Sequence, residues 1–210
     1  MDSVPSRLNS QHTTLVLDAS VLINLLGTAN PAILLRALNR AALVDEIALH
    51  EIRVNPMDGR PAKATLDELR VEGLLKPIRL GAEAYRIFVE LTGATPPNDL
   101  DDGEAATIAQ AIECQAAAVI DERKATRIVR TSFPETPVLS SMDLFGCSEV
   151  INTVGGDNLA NLIYGALSSA RMRVPPEFRK WVVSLVGDVR LADCPSFGCL
   201  PIPTCRGRSR

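Results

Sequence analysis

The chain has 210 residues, 46% of them hydrophobic, 22% charged and only 4% aromatic. That balance excludes a disordered chain, and the length admits one well-buried domain with an appendage, its core built mainly from Leu, Ile, Val and Ala. A formal charge of −3 argues against a protein that coats nucleic acid through bulk electrostatics, so any RNA contact must come from local basic stripes.

Residues 1–13 mix Ser, Asn, Gln and Pro and read as a loose arm. Residues 14–17 form a short buried strand ending at Asp18. Helical spacing follows over 20–26, stopping at Gly27, and again over 30–42, with Ile33, Leu34, Leu35 and Leu38 inside and Arg36 and Arg40 outside. A third helix is expected over 45–52, before the breakers Asn55-Pro56 and Asp58-Gly59. Then come a helix over 63–74, a strand over 77–80, and helices over 82–92 and 102–116. A third strand, 117–120, ends on Asp121. A helix over 122–131 leads to a fourth strand near 137–140. Helices alternating with short apolar strands define an α/β class with a parallel sheet.

Beyond about 143 the strand signals stop. Helices are expected near 143–153, 157–171 and 176–187, and the Pro-containing segment 191–210 reads as extended or disordered. The expected organisation is therefore a domain over 14–145, a helical extension over 146–190 and a tail over 191–210. No run reaches the apolar length of a bilayer span and the N-terminus lacks a signal-peptide pattern, so a cytoplasmic protein with no membrane contact is expected. The five cysteines, Cys114, Cys147, Cys194, Cys199 and Cys205, are expected to be reduced thiols. The spacing of the last three fits a zinc site poorly.

Two acids occupy equivalent places: Asp18 ends the first strand and Asp121 the third. In open parallel sheets the ligand crevice lies beyond the carboxyl ends of the strands. Clustered aspartates there repel one another without a cation and suit a hard divalent metal. Each could instead simply cap the helix that follows. Asp101 and Glu104 have capping-box spacing, which would turn Glu104 back toward the N-cap amide. Glu51, on the expected third helix, has the look of a solvated helical acid. Ser20 serves either as a helix N-cap or as a hydroxyl that orients Asp18.

Three segments together resemble a PIN domain, in the right order and at roughly the right separation. They are LVLDASVLINL at residues 15–25, LDDGEAATIA at 100–109 and VIDERKA at 119–125, and VLSSMDLF at 138–145 is similar to the family's last strand and helix entry. The resemblance implies a Rossmann-like three-layer fold with a short central parallel sheet, and a Mg²⁺- or Mn²⁺-dependent endoribonuclease. A large group of the family are toxins of toxin–antitoxin pairs, so an RNA substrate, an antitoxin protein and a homodimer are the partners implied. By resemblance Asp18, Glu51, Glu104 and Asp121 are the metal-binding and catalytic acids, with Ser20 beside Asp18. Asp101, Asp102 and Glu122 are neighbours able to substitute. A non-catalytic PIN-like module acting through a protein partner is the alternative.

Arg123, Arg127 and Arg130 recur at helical spacing beside Lys124, either as a phosphate-binding stripe that starts at Asp121 or as a solvated face. Arg36 and Arg40 pose the same choice. Trp181, among Val182, Val183 and Leu185, reads as core or interface.

Overall fold

The computed structural model describes residues 4–197. Period-two alternation builds its layers. In β1 (Thr14–Leu17), Leu15 and Leu17 face one side of the sheet and Val16 the other, all fully buried. β2 (Ala41–Asp45), β3 (Lys76–Ile78), β4 (Ala117–Val119) and β5 (Val138–Leu139) join it in the order β3-β2-β1-β4-β5, every pairing parallel. Against one face, with Leu15, Leu17, Val44 and Val119, pack α1 (Ala19–Leu26), α2 (Pro31–Leu38), α3 (Glu46–Glu51) and α4 (Lys63–Val71). Against the other, with Val16, Ala118 and Ile120, pack α5 (Ala82–Thr92), α6 (Asp102–Glu113) and α7 (Arg123–Ser132). The result is the expected three-layer α/β fold. Burial on both faces explains why β1, β4 and β5 read as short uninterrupted apolar runs, whereas the edge strand β3 carries no buried residue.

Within α6 the residues Gly103, Ala105, Ala106, Ala109 and Ala111 are all buried. A helix buried along most of its length belongs between two partners, and small side chains let α6 lie close to both the sheet and α5. The start of α6 is thereby placed near the sheet's carboxyl edge, where the acids are.

α8 (Ser141–Phe145) closes the expected domain, and the extension adds α9 (Ser148–Val154), α10 (Gly156–Ser168), a 3₁₀ turn (Pro176–Phe178), α11 (Arg179–Val186) and α12 (Asp188–Ala192). These helices enlarge the first core, contributing Phe145, Ile163, Leu167, Phe178 and Val182, all completely buried. Trp181 packs half-buried and edge-on to Phe178 at 6.3 Å. The contact of α10 with α1 requires bare backbone: a Cβ on Gly165 would lie 2.6 Å from the Gly27 carbonyl oxygen.

Four expectations need correction. A five-residue strand, β2, replaces the end of the helix expected over 30–42, which stops at Leu38 because Asn39 adopts a left-handed conformation (φ 48°). A short Ala/Leu run is ambiguous by periodicity alone, and a free position beside β1 decides it. The helix expected over 143–153 is two helices broken at Gly146 and Cys147. Residues 4–8 are docked rather than loose. Ser6 donates to the Asp143 carbonyl (2.7 Å), the Arg7 amide and guanidinium donate to the Asp143 carboxylate (2.8 and 2.7 Å), and Leu8 is buried. Finally, residues 191–197 are packed: Leu191 lies in α12, and it, Cys194 and Phe197 are buried. Cys199 and Cys205, with any zinc site shared with Cys194, lie outside the described residues. Among those residues no single helix is long and apolar enough to cross a membrane.

Gly165→Ala should force α10 off α1 and destabilise the protein by about 1–3 kcal/mol, the usual cost of overpacking. A lowered urea midpoint at unchanged m-value would report this, and an unchanged midpoint would show that the two helices can separate freely.

Candidate functional site

Strand order decides which acids meet. β1 and β4 are neighbours with Leu17 opposite Val119, and the Asp18 amide donates to the Val119 carbonyl at 3.1 Å. Asp18 and Asp121 therefore leave adjacent strands at their carboxyl ends. This is where the strand order changes direction, the usual ligand crevice of such sheets.

Asp18 is 4% exposed and caps α1, accepting from the Ser20 amide (3.1 Å) and the Ser20 hydroxyl. The N-cap is thus Asp18 itself, and Ser20, inside the first turn, holds the carboxylate in place. Asp121 does not cap the helix that follows it, because Glu122 is the N-cap of α7 and accepts from the Lys124 amide (3.1 Å). Instead the Asp121 carboxylate accepts from the Ser141 amide (2.8 Å), the Ser141 hydroxyl (2.6 Å) and the Asn24 side-chain amide (2.7 Å). Asn24 also donates to the Ser141 hydroxyl (3.1 Å), tying α1 to the start of α8.

Glu104 stands one turn into α6. Asp101 takes the N-cap position, but its side chain makes no capping bond, so the full reciprocal box is not formed. One Glu104 carboxylate oxygen, Oε2, is buried and has no hydrogen-bond partner. Glu51 closes α3 and leans over the start of α6, where Gly103 makes room: a Cβ there would lie 2.8 Å from the Glu51 carboxyl carbon. The seat for Glu51 exists because residue 103 has no side chain.

Burial raises the carboxyl pKa of all four acids. The negative charge of Asp18 adds to the shift of each of the other three, which places Asp18 at the electrostatic centre. At Glu104 burial comes first, then Asp18 and Asp101, and its carboxyl is pushed up to about 7. Among the described residues none of the four acids pairs with Lys, Arg or His. The donors are all oxygens, one of them buried and unpartnered, and this chemistry fits a hard divalent cation. As the side chains stand, no three His, Cys, Asp or Glu residues among those described are close enough to surround one ion.

Several participants escaped sequence reasoning. Asn24 and Ser141 lie within the segments that resemble the family, but nothing in the spacing shows that they meet Asp121. Asp45, at the end of β2, is 1% exposed, but its oxygens are engaged by the Ile47 amide and by Gln110, both at 2.8 Å. Its work is to join α3 to α6. Of the basic residues, Arg123 and Arg127 line a cavity beside Asp121, whereas Lys124 does not. Arg36 and Arg40 are engaged elsewhere, in ion pairs with Glu72 and Glu149.

Residues 14–132, more than half the chain, match the family model of the PIN domain, and the chain belongs to that family. PIN domains are in general nucleases. The match ends with α7, so β5, Ser141 and the remaining helices lie beyond it. No curated protein matches the chain.

The pKa of Glu104 gives the metal-free protein a characteristic pH response. Its folded value, about 7, lies above the ordinary 4.5, so the unfolded chain releases this proton first and stability falls as pH rises between those values. After discounting for the side chain's partial exposure, the loss is about 1 kcal/mol. In EDTA, Glu104→Gln should raise the Tm at pH 8 by about 2–4 °C and leave it unchanged near pH 4. Equal Tm values at pH 8 would contradict the crowding of charge at Glu104.

Proposed function

We propose that the protein is a divalent-metal-dependent endoribonuclease that hydrolyses RNA phosphodiester bonds, with Mg²⁺ or Mn²⁺ held by Asp18, Glu104, Asp121 and Glu51. The observation that carries the reading is the meeting of mutually repelling carboxylates, free of protein cations, where β1 and β4 end. When bound, the cation supplies an activated water and stabilises charge developing on the phosphate.

The chain's own residues do the rest. Ser20 fixes the Asp18 carboxylate, and Asn24 and Ser141 fix that of Asp121, each leaving oxygen lone pairs for a ligand. Gly103 lets Glu51 approach from α3. A carboxyl near pH 7 at Glu104 lets cation binding displace a proton close to neutrality.

Asp18→Asn should abolish Mg²⁺- or Mn²⁺-dependent RNA cleavage without unfolding the protein, and equal cleavage by variant and wild type would end the reading. Asn24→Ala, which frees Asp121 without touching the ion, should weaken metal binding about 10–100-fold by calorimetry. The toxin role belongs to the same proposal: expressed without an antitoxin, the wild type should arrest growth and Asp18→Asn should not.

That no three of these side chains close on a single point favours one alternative, a non-catalytic module acting through a protein partner. Absence of Mg²⁺ and Mn²⁺ binding in calorimetry, with stable binding of a partner, would select it.

A further inference from the structure

A cavity of about 460 Å³ opens beside Asp121, between α7 and residues 173–177, which lead from α10 into α11. Its inner end is formed by Ile120, Asp121, Leu139 and Ser140, at the carboxyl ends of β4 and β5. It meets the acid site at Asp121, the one of the four acids that lines it.

Five arginines border it: Arg7, Arg123, Arg127, Arg130 and Arg173. They differ in availability. Arg7 is held by Asp143, so its charge is neutralised. The other four have no carboxylate partner among the described residues, although Arg127 donates to the Asn98 side chain at 3.3 Å. Ala125, Ile128 and Val129 bury the opposite face of α7, which turns Arg123, Arg127 and Arg130 outward as one stripe roughly 10 Å long. Arg130 and Arg173 are both exposed, and Arg173 comes from the extension. Against these stands one wall carboxylate besides Asp121, that of Glu177. In a chain whose net charge is −3, so local a surplus of positive charge calls for an anionic occupant. The chain's own last residues are basic and do not complement it.

We propose that this cavity is the substrate-strand groove, in which Arg130 of the nuclease domain and Arg173 of the extension grip backbone phosphates of single-stranded RNA next to the bond to be cut. The inference rests on the ribonuclease reading and assigns the place where its substrate strand is held, with the extension as one wall. A strand threaded from the acids along α7 meets successive guanidinium groups, the planar donors suited to phosphate oxygens. The apolar surfaces of Val174, Pro175 and Pro176 face sugars and bases. The volume, about 460 Å³, lies within the usual range for a ligand pocket, roughly 300–1,000 Å³, and suits a few nucleotides of a single strand. The extension, beyond the end of the PIN-domain match, then forms part of the substrate site.

The test is fluorescence anisotropy of a short unstructured oligoribonucleotide in EDTA, so that binding is read without cleavage. Arg130→Ala and Arg173→Ala should each weaken binding about fivefold and reduce the salt dependence by about one phosphate contact. Arg70→Ala, at the end of α4 that leads into β3 and so at the opposite edge of the sheet, should change neither. An RNA duplex should compete poorly. Neither arginine takes part in an ion pair, and unchanged Tm values would confirm intact folding. Wild-type affinity and salt dependence in both arginine variants would overturn the proposal. So would variants that bind RNA normally but lose binding of polyglutamate, which would reassign the cavity to an acidic protein partner. The two readings fail separately. Arginine-dependent RNA binding without cleavage in Mg²⁺ or Mn²⁺ removes the nuclease activity alone, whereas a wild type that cleaves, with variants that bind as it does, removes the groove alone.

Discussion

The parallel pairing of β1 with β4 is the constraint on which the site depends. It brings Asp18 and Asp121 to one edge despite a separation of about a hundred residues, and the bond from the Asp18 amide to Val119 carries the pairing past the end of β1. Carboxylates drawn out of water at a common edge are unfavourable: burial raises the pKa of both, and the charge of Asp18 adds to the shift at Asp121. The surrounding layers sustain it: Leu15 and Leu17 anchor one core, and Val16 and Ile120 the other. A rigid sheet thus keeps together charges that would otherwise move apart.

Both strand-end acids are positioned from the same face of the sheet, the one that carries α1 and α8. Asp18 is held from within α1, by the cap that starts the helix. Asp121 is held by α1 and α8 together, through Asn24 and Ser141. α8 is secured in turn by the Ser140–Asp143 capping box, and Asp143 also receives Arg7. The N-terminal arm and α8 therefore support the edge where the acids lie, although neither carries a proposed ligand. Their buried polar network is well satisfied, which makes a rigid arrangement possible.

Close backbone approach complements these bonds. The small residues of α6 set it near the sheet, the absence of a side chain at Gly103 opens the seat of Glu51, and Gly165 lets α10 lie on α1. Through that last contact the extension is one body with the core beneath the acids. Residues 173–177 can then form a fixed wall opposite α7, so the basic cavity is built by the family domain and its extension jointly.

Local physical rules in the sequence determined the α/β class, four of the five strands, and the strand-end positions of Asp18 and Asp121. Short apolar runs ending in Asp, with helical periodicity between them, carry that information within a few residues. Glu104 was legible as a choice between a cap and a ligand, and Glu51 only through resemblance. Tertiary structure decided the rest. β2 exists because β1 offers an edge that an ambiguous Ala/Leu run can fill, and the Glu51 seat exists because α3 and α6 converge at Gly103. Asn24 and Ser141 reach Asp121 only after the sheet closes, and Arg173 reaches the arginine stripe only after α10 settles on α1. Such relations join residues far apart in the chain, where no spacing rule applies, and they follow from which faces must be buried together.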